Sequence, residues 1–349
     1  MAWSPYRQRV RSAVCAWAAL AGVVMVLNAV PASAYAGVSL AGQWQLATLH
    51  ASAAWRYSTG TGVTVAVLDS GVDANHTDLR GQVLRGADFV DGTTDGRRDF
   101  VGHGTSVAGL IAGRNKTTGV VGLAPEARIL PVRVLDKQNR YNDATTVARG
   151  LRWAVDHGAR VVNLSLGGGA ASTELAGAIE YAYQQDVVVI ACTGNVERDA
   201  SRQVWFPARV PGVVAVSGLT ETSTGQASRP TLWGGALTGT QTVLTAPAVD
   251  LLAAKPGGYW RVEGTSFAAP LVTAVAAMIR ARWPAMNAAN VINRLIRTAD
   301  DLGRPGWDAT YGYGEVDPVA ALTANIPAVA TNPLLGGDGP GASSAGASA

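Results

Sequence analysis

The sequence predicts an α/β domain in which a mostly parallel sheet is covered by helices on both faces. Three observations predict it. Short runs rich in β-branched residues recur along the chain: VTVAVLD, ARILPVRVLD, RVVNLSL, DVVVIAC and GVVAVSGL. They are nearly continuous in apolar residues rather than alternating, as strands buried on both sides are. Between them lie stretches with helical spacing, such as Ala144 to His157 and Thr173 to Gln185, and strands that alternate with helices build parallel sheets.

From the amino end, residues 1–34 read as an export signal. Arg7, Arg9 and Arg11 precede an apolar stretch from Ala13 to Val30, and Ala32-Ser33-Ala34 offers a small-residue cleavage site, with Ala34-Tyr35-Ala36 as the alternative. Left uncut, the same run is long enough to anchor the chain, and this is the one route to membrane contact that the sequence offers. The segment carries three arginines and no acid, so its removal takes the formal charge from +3 to about zero. The basic balance therefore gives no ground for a nucleic-acid partner. Cys15 lies in the signal and Cys192 stands alone, which excludes an internal disulfide or a cysteine metal cluster. Residues 35–42 form a short lead, 43–323 the folded domain, and 324–349 a flexible tail rich in Gly, Ala, Ser and Pro.

In parallel sheets the ligand crevice lies beyond the carboxyl ends of the strands, so polar residues that directly follow apolar runs are the candidates. Asp69 closes the first run, in VAVLDSGVD. An aspartate there either shapes a strand-end turn or, if buried, needs a hydrogen-bonded partner that it can orient. Asp73 and Asp78 follow in the loop and read more simply as loop residues. His103 sits between Gly102 and Gly104 at the first turn of a helix, in DFVGHGTSVAGLIAG, where small neighbours including Ala108 allow close approach of other backbone. His50, His76 and His157 lack such company. Ser266, in VEGTSFAAP, opens a helix that is apolar on nearly every side, where exposed N–H groups favour developing negative charge. Capping alone accounts for a serine at that place. It does not account for Asp69 and His103.

Aspartate, histidine and serine in that order, inside DSGVD, GHGTSVAG and GTSFAAP, resemble the subtilisin-type serine proteases. VVGLAPEARILPVRVLD, VVNLSLGG, ACTGN and YGYGEVDPVAAL are similar to the family as well, so the resemblance runs from about Gln43 to Leu322. It implies the subtilisin-like three-layer fold and a serine endopeptidase, with Ser266 as nucleophile, His103 as the base that later protonates the leaving amine, and Asp69 holding the imidazole. It also implies Asn195 as a side-chain donor to an oxyanion; read alone, Asn195 is a turn asparagine. By the same resemblance Ser165, Leu166, Gly167 and Gly168 pair with a substrate peptide as an added strand. Those residues, with Cys192, Thr193 and Gly194, wall a side-chain pocket.

Two departures touch the pocket. Trp205 stands where the family has a small residue, and reads either as a shortened pocket floor or as packing under the sheet. Cys192 reads either as an inert buried thiol or as a pocket-lining group. The resemblance implies no cofactor. Many members hold calcium in a loop matched by AGRNKTTGVVGLAP, but Lys116 occupies a ligand position and calcium demands oxygen donors, so no strong calcium site and no metal at the candidate site are expected.

The lead before GQWQLATLHASAAW is too short for a folded inhibitory propeptide. With Gln43-Trp44 and Ala51 to Trp55 it resembles the mycosins, actinobacterial proteases associated with type VII secretion. The partners so implied are a peptide or protein substrate and a secretion machinery, and the location is extracytoplasmic. A second class of function is a structural component of such an assembly in which the fold matters more than activity. Four intact residues, Asp69, His103, Ser266 and Asn195, favour the enzyme.

Overall fold

The computed structural model describes residues 42–114, 119–141, 143–196, 202–222 and 229–336. The expected signal, Lys116 and residues 337–349 lie outside them. Two short helices, α1 (Trp44–Thr48) and α2 (Ala51–Ala54), lead into β1 (Thr64–Asp69), β2 (Ala87–Asp88), α3 (His103–Ala112), β3 (Arg128–Arg133), α4 (Ala144–Asp156), β4 (Val161–Leu164), α5 (Thr173–Gln184) and β5 (Val188–Cys192). The chain continues through β6 (Val214–Thr220), β7 (Thr231–Leu232), β8 (Leu244–Pro247), the hairpin β9 (Leu251–Lys255) and β10 (Gly258–Val262), then α6 (Thr265–Arg282), α7 (Ala288–Arg297) and α8 (Pro318–Thr323).

The main sheet runs β2-β3-β1-β4-β5-β6-β7, with β8 also paired to β6. Every pairing is parallel except that of β7 with β6. Successive residues of a strand face opposite sides, and Val65, Ala66, Val67 and Leu68 are all fully buried, so both faces of β1 are covered. The cover comes from two helix pairs, α3 with α6 and α4 with α5. This is the three-layer arrangement expected from the unbroken apolar runs.

Topology places the crevice. From β1 the chain goes to β2 and β3 on one side, then returns to place β4, β5 and β6 on the other, so the order reverses at β1 and a crevice opens beyond its carboxyl end. Asp69 is the last residue of β1, Ser165 follows β4, and Thr193 follows β5. Facing them is the amino end of α6, buried from Thr265 to Arg280.

One boundary differs from expectation. The tail is expected to start at 324, but the chain stays packed as far as Leu334. Asn293 donates to Pro327 O, Asn290 exchanges two hydrogen bonds with Val329, and Asn332 donates to Gly212 O while Leu334 is buried. Composition misled because this segment needs no core of its own. Asparagines of α7 satisfy its backbone instead.

Candidate active site

Asp69 and His103 are joined directly. The imidazole Nδ1–H donates to the Asp69 carboxylate at 2.8 and 2.9 Å, with both side chains buried. Burial pulls the His103 pKa down, but the Asp69 charge and hydrogen bond, with Asp99 adding to them, outweigh it and leave the pKa above the ordinary histidine value.

The local chain explains why the two meet. His103 is the first residue of α3, and Gly102 before it has φ 101°, a conformation that side chains resist. Gly104 is required because a Cβ there would overlap Gly71 O and come 3.0 Å from the Asp69 Cβ. The α3 N-cap has no side-chain bond of its own. Asp99 takes over that task. Its carboxylate accepts from the N–H groups of Val101, Gly102 and Thr105 and from the hydroxyls of Ser70 and Thr105, and Ser70 Oγ in turn accepts from Gly104 N–H. Sequence reading passed over Asp99, although an acid just before a helix start is a capping signal.

Ser266 opens α6 in its first turn, where backbone N–H groups have no intrahelical partner. Phe267 beside it brings its ring 5.2 Å from the His103 ring, which fixes the two helix ends next to each other. Among the described residues, Ser266 Oγ is buried and has no hydrogen-bond partner, His103 included. An unpaired buried hydroxyl calls for an explanation, and a reacting group supplies one, since catalytic hydrogen bonds are often long or open before substrate binds.

Pro270 explains a further contact. It lacks the N–H that would bond the Ser266 carbonyl four residues back, and the Ser165 hydroxyl donates to that carbonyl instead, at 2.6 Å. Asn163 and Thr273 continue the chain of bonds behind it. The Ser165 side chain therefore supports the amino end of α6, and Leu166 is buried.

Asn195 Oδ1 accepts from Thr265 N–H at 3.0 Å and from Thr265 Oγ1 at 3.1 Å, while Thr265 Oγ1 accepts from Gly194 N–H. Because Thr265 N–H can only donate, the amide oxygen must face it, so the NH2 group points the other way. Nothing in the sequence alone pairs Thr265 with Asn195, 70 residues away.

The expected substrate wall is altered in three ways. Gly168 exchanges both backbone hydrogen bonds with Phe206, so its backbone is already paired, and Gly167 is left as the edge. Thr193 is fully buried and its carbonyl accepts from Trp205 N–H. Trp205 stands between the two glycines: a Cβ on Gly194 would overlap its indole, and one on Gly167 would lie 3.1 Å from its Cβ. The indole therefore lies between the expected pocket walls.

Among the described residues no group of three or more His, Cys, Asp or Glu could hold a metal. With that geometry in view, the chain can be compared with known proteins. A model of the subtilase family, Peptidase S8, matches residues 60–314. The chain belongs to the subtilase family, the subtilisin-type serine peptidases. Asp69, His103, Asn195 and Ser266 all fall inside the matched residues. Among curated subtilases, fervidolysin from Fervidobacterium pennivorans is 36% identical over 297 residues, which cover 78% of this chain and 42% of fervidolysin. The chain thus spans less than half of that relative. Its crystal structure aligns with TM-score 0.74 over 82% of this chain and 46% of that one, at 33% identity. Subtilisin DY from Bacillus licheniformis is 36% identical over 267 residues, 75% of this chain and 91% of the other. The structure of the MycP3 protease from the type VII (ESX-3) secretion system aligns with TM-score 0.69 and 32% identity, covering 80% of this chain and 88% of that one.

Within this subtilase, Cys192 is buried, and burial pushes its thiol pKa up to about 12, so it carries almost no thiolate at neutral pH. A bulky maleimide is expected to leave peptide hydrolysis unchanged. Loss of rate in proportion to labelling of Cys192 would instead put the thiol in the pocket.

Proposed function

We propose that this subtilase is a serine endopeptidase acting through an acyl-enzyme. Ser266 Oγ attacks the scissile carbonyl as His103 Nε2 takes its proton. The tetrahedral oxyanion is held by the Asn195 NH2 group and the Ser266 N–H. Collapse breaks the C–N bond as the imidazolium returns the proton to the leaving amine, and water repeats the sequence to free the acid. Asp69 holds the Nδ1 proton in place throughout. The observation that carries this reading is an imidazole whose Nδ1 is committed to a buried carboxylate, packed against Phe267, the neighbour of a Ser266 hydroxyl that is buried and unpaired among the described residues. Covalent labelling by a fluorophosphonate probe tests it: one equivalent per chain, mapped to Ser266, supports the reading, and a chain that is not labelled removes it.

The Trp205 indole between Gly167 and Gly194 supports a shallow pocket, so small side chains such as Ala are the preferred residues just before the cut. Trp205→Ala is expected to raise kcat/KM for a Phe-containing peptide relative to its Ala counterpart by about 100-fold. A wild-type preference for aromatic residues in cleavage profiling would end the idea.

The signal-like residues 1–34 and the likeness to MycP3 support work outside the cytoplasmic membrane, beside a secretion machinery, on peptide or protein substrates. No helix among the described residues is long and apolar enough to cross a membrane. Against a purely structural role stand Asp69, His103, Ser266 and Asn195, four side chains of the types the reaction needs, which a scaffold has no chemical reason to keep together.

A further inference from the structure

Three cations surround one exposed aromatic ring beside the site. The Arg98 and Arg133 guanidinium groups and the Lys137 ammonium each lie 5.0 to 5.1 Å from the centre of the Phe100 ring. They are not equivalent. Arg133 is buried and neutralised by Asp88 and Asp91, and its charge is already satisfied. Arg98 and Lys137 are exposed and have no carboxylate within ion-pair distance among the described residues. The nearby acids are engaged elsewhere: Asp99 caps α3, Asp95 pairs with Arg97, and Asp136 accepts from the N–H groups of Gln138 and Arg140. With both charges on one ring, they lie within about 10 Å of each other, close to the screening length at moderate salt. Each is attracted by the ring face, but their mutual repulsion is uncompensated.

The place of this patch gives it meaning. Phe100 lies three residues before His103. The Arg98 carbonyl packs against Gly71, two residues after Asp69, where a Cβ would overlap it. The segment leading to Lys137 is tied to the same aspartate, since Val134 and Leu135 N–H both donate to Asp69 O. Farther along that loop, Tyr141 reaches the substrate wall, its hydroxyl 3.2 Å from where a Cβ on Gly168 would lie. Both cations are therefore carried by segments that pack against the Asp69 end of β1, and the segment with Lys137 runs on to the wall proposed to receive the peptide.

We propose that Arg98, Phe100 and Lys137 form a subsite for an acidic side chain of the substrate close to the scissile bond. The ring packs the methylene of a Glu or Asp, and the two cations take its carboxylate. This rests on the peptidase reading above, and the test separates the two.

Matched internally quenched peptides carry Glu or Gln in turn at each of the positions flanking the cut. At one of them, the Glu peptide is expected to be hydrolysed with kcat/KM about five- to tenfold above the Gln peptide at low ionic strength, as two exposed charge contacts allow. The ratio falls toward one at 1 M salt, where the screening length is about 3 Å. R98Q/K137Q is expected to abolish the preference, while R98K/K137R, which keeps both charges, retains most of it. Hydrolysis of the Gln series reports on the peptidase reading alone. If Gln peptides are cut and no position favours Glu at low salt, or if the preference survives in R98Q/K137Q, the acidic subsite is wrong and the peptidase reading stands. If neither series is cut, both fall together.

Discussion

Replacing Ser266 by Ala is expected to lower kcat/KM for peptide hydrolysis by about a million-fold, the order of loss seen for the nucleophile of subtilisin itself, while Tm does not fall. The two halves come from the same observation. The Ser266 hydroxyl has no hydrogen-bond partner although it is buried, so its removal breaks no contact and relieves an unsatisfied group. That relief is of the order of 1 kcal/mol, or about 2–4 °C for a domain of this size. A structural serine behaves in the opposite way. Ser165, whose hydroxyl bonds the Ser266 carbonyl, should lose stability when replaced by Ala, because that carbonyl has no helical N–H to return to at Pro270. Calorimetry and a chromogenic peptide assay on Ser266→Ala decide the matter: a fall in Tm of several degrees with most activity retained would make Ser266 a capping residue and nothing more.

The same contrast shows what the sequence makes legible. Asp69, His103 and Ser266 stand out because each interrupts an apolar run at the start or end of an element, where local pattern and glycine company are visible. The parallel sheet was readable from unbroken Val, Ile and Ala runs for the same reason. Contacts that set the site's geometry are long-range and leave no local trace: Thr265 with Asn195, Ser165 with Ser266, Gly168 with Phe206. Gly167 and Gly168 look alike in sequence. Only tertiary pairing leaves one as an edge and closes the other. Trp205 carries two readings because its burial alone, 9% exposed, fits both; its place between Gly167 and Gly194 supports the shallow pocket proposed above. The contacts of residues 327–334 are not legible either, because composition describes what a segment can do alone, and these residues are held by α7 and by the turn at Gly212.

Asp69→Asn is expected to lower kcat/KM at neutral pH by about ten-thousand-fold, the size of loss that this change causes in an unrelated serine protease fold. It should also shift the acid limb of the pH profile downward. The tautomer follows from the hydrogen bonds. Asp69 Oδ1 accepts from Ser70 N–H at 2.7 Å as well as from His103, and an asparagine must keep its one oxygen toward Ser70. Its NH2 then meets His103 Nδ1 and donates to it. The ring proton moves to Nε2, which becomes a donor and can no longer take the hydroxyl proton. The sign of the pH shift follows from the charges. In the wild type, the Asp69 charge and hydrogen bond overcome burial and hold the His103 pKa above its ordinary value, and because the base works only when neutral, activity is lost as pH falls through that raised pKa. Without the carboxylate, burial dominates, the imidazole stays neutral to lower pH, and the residual activity persists further into acid. A mutation that merely loosened α3 would lower the rate and leave the limb near the pKa of a free histidine. A limb that moves upward, or a loss smaller than about tenfold, would mean that Asp69 neither charges nor orients His103, and the catalytic pair would have to be abandoned.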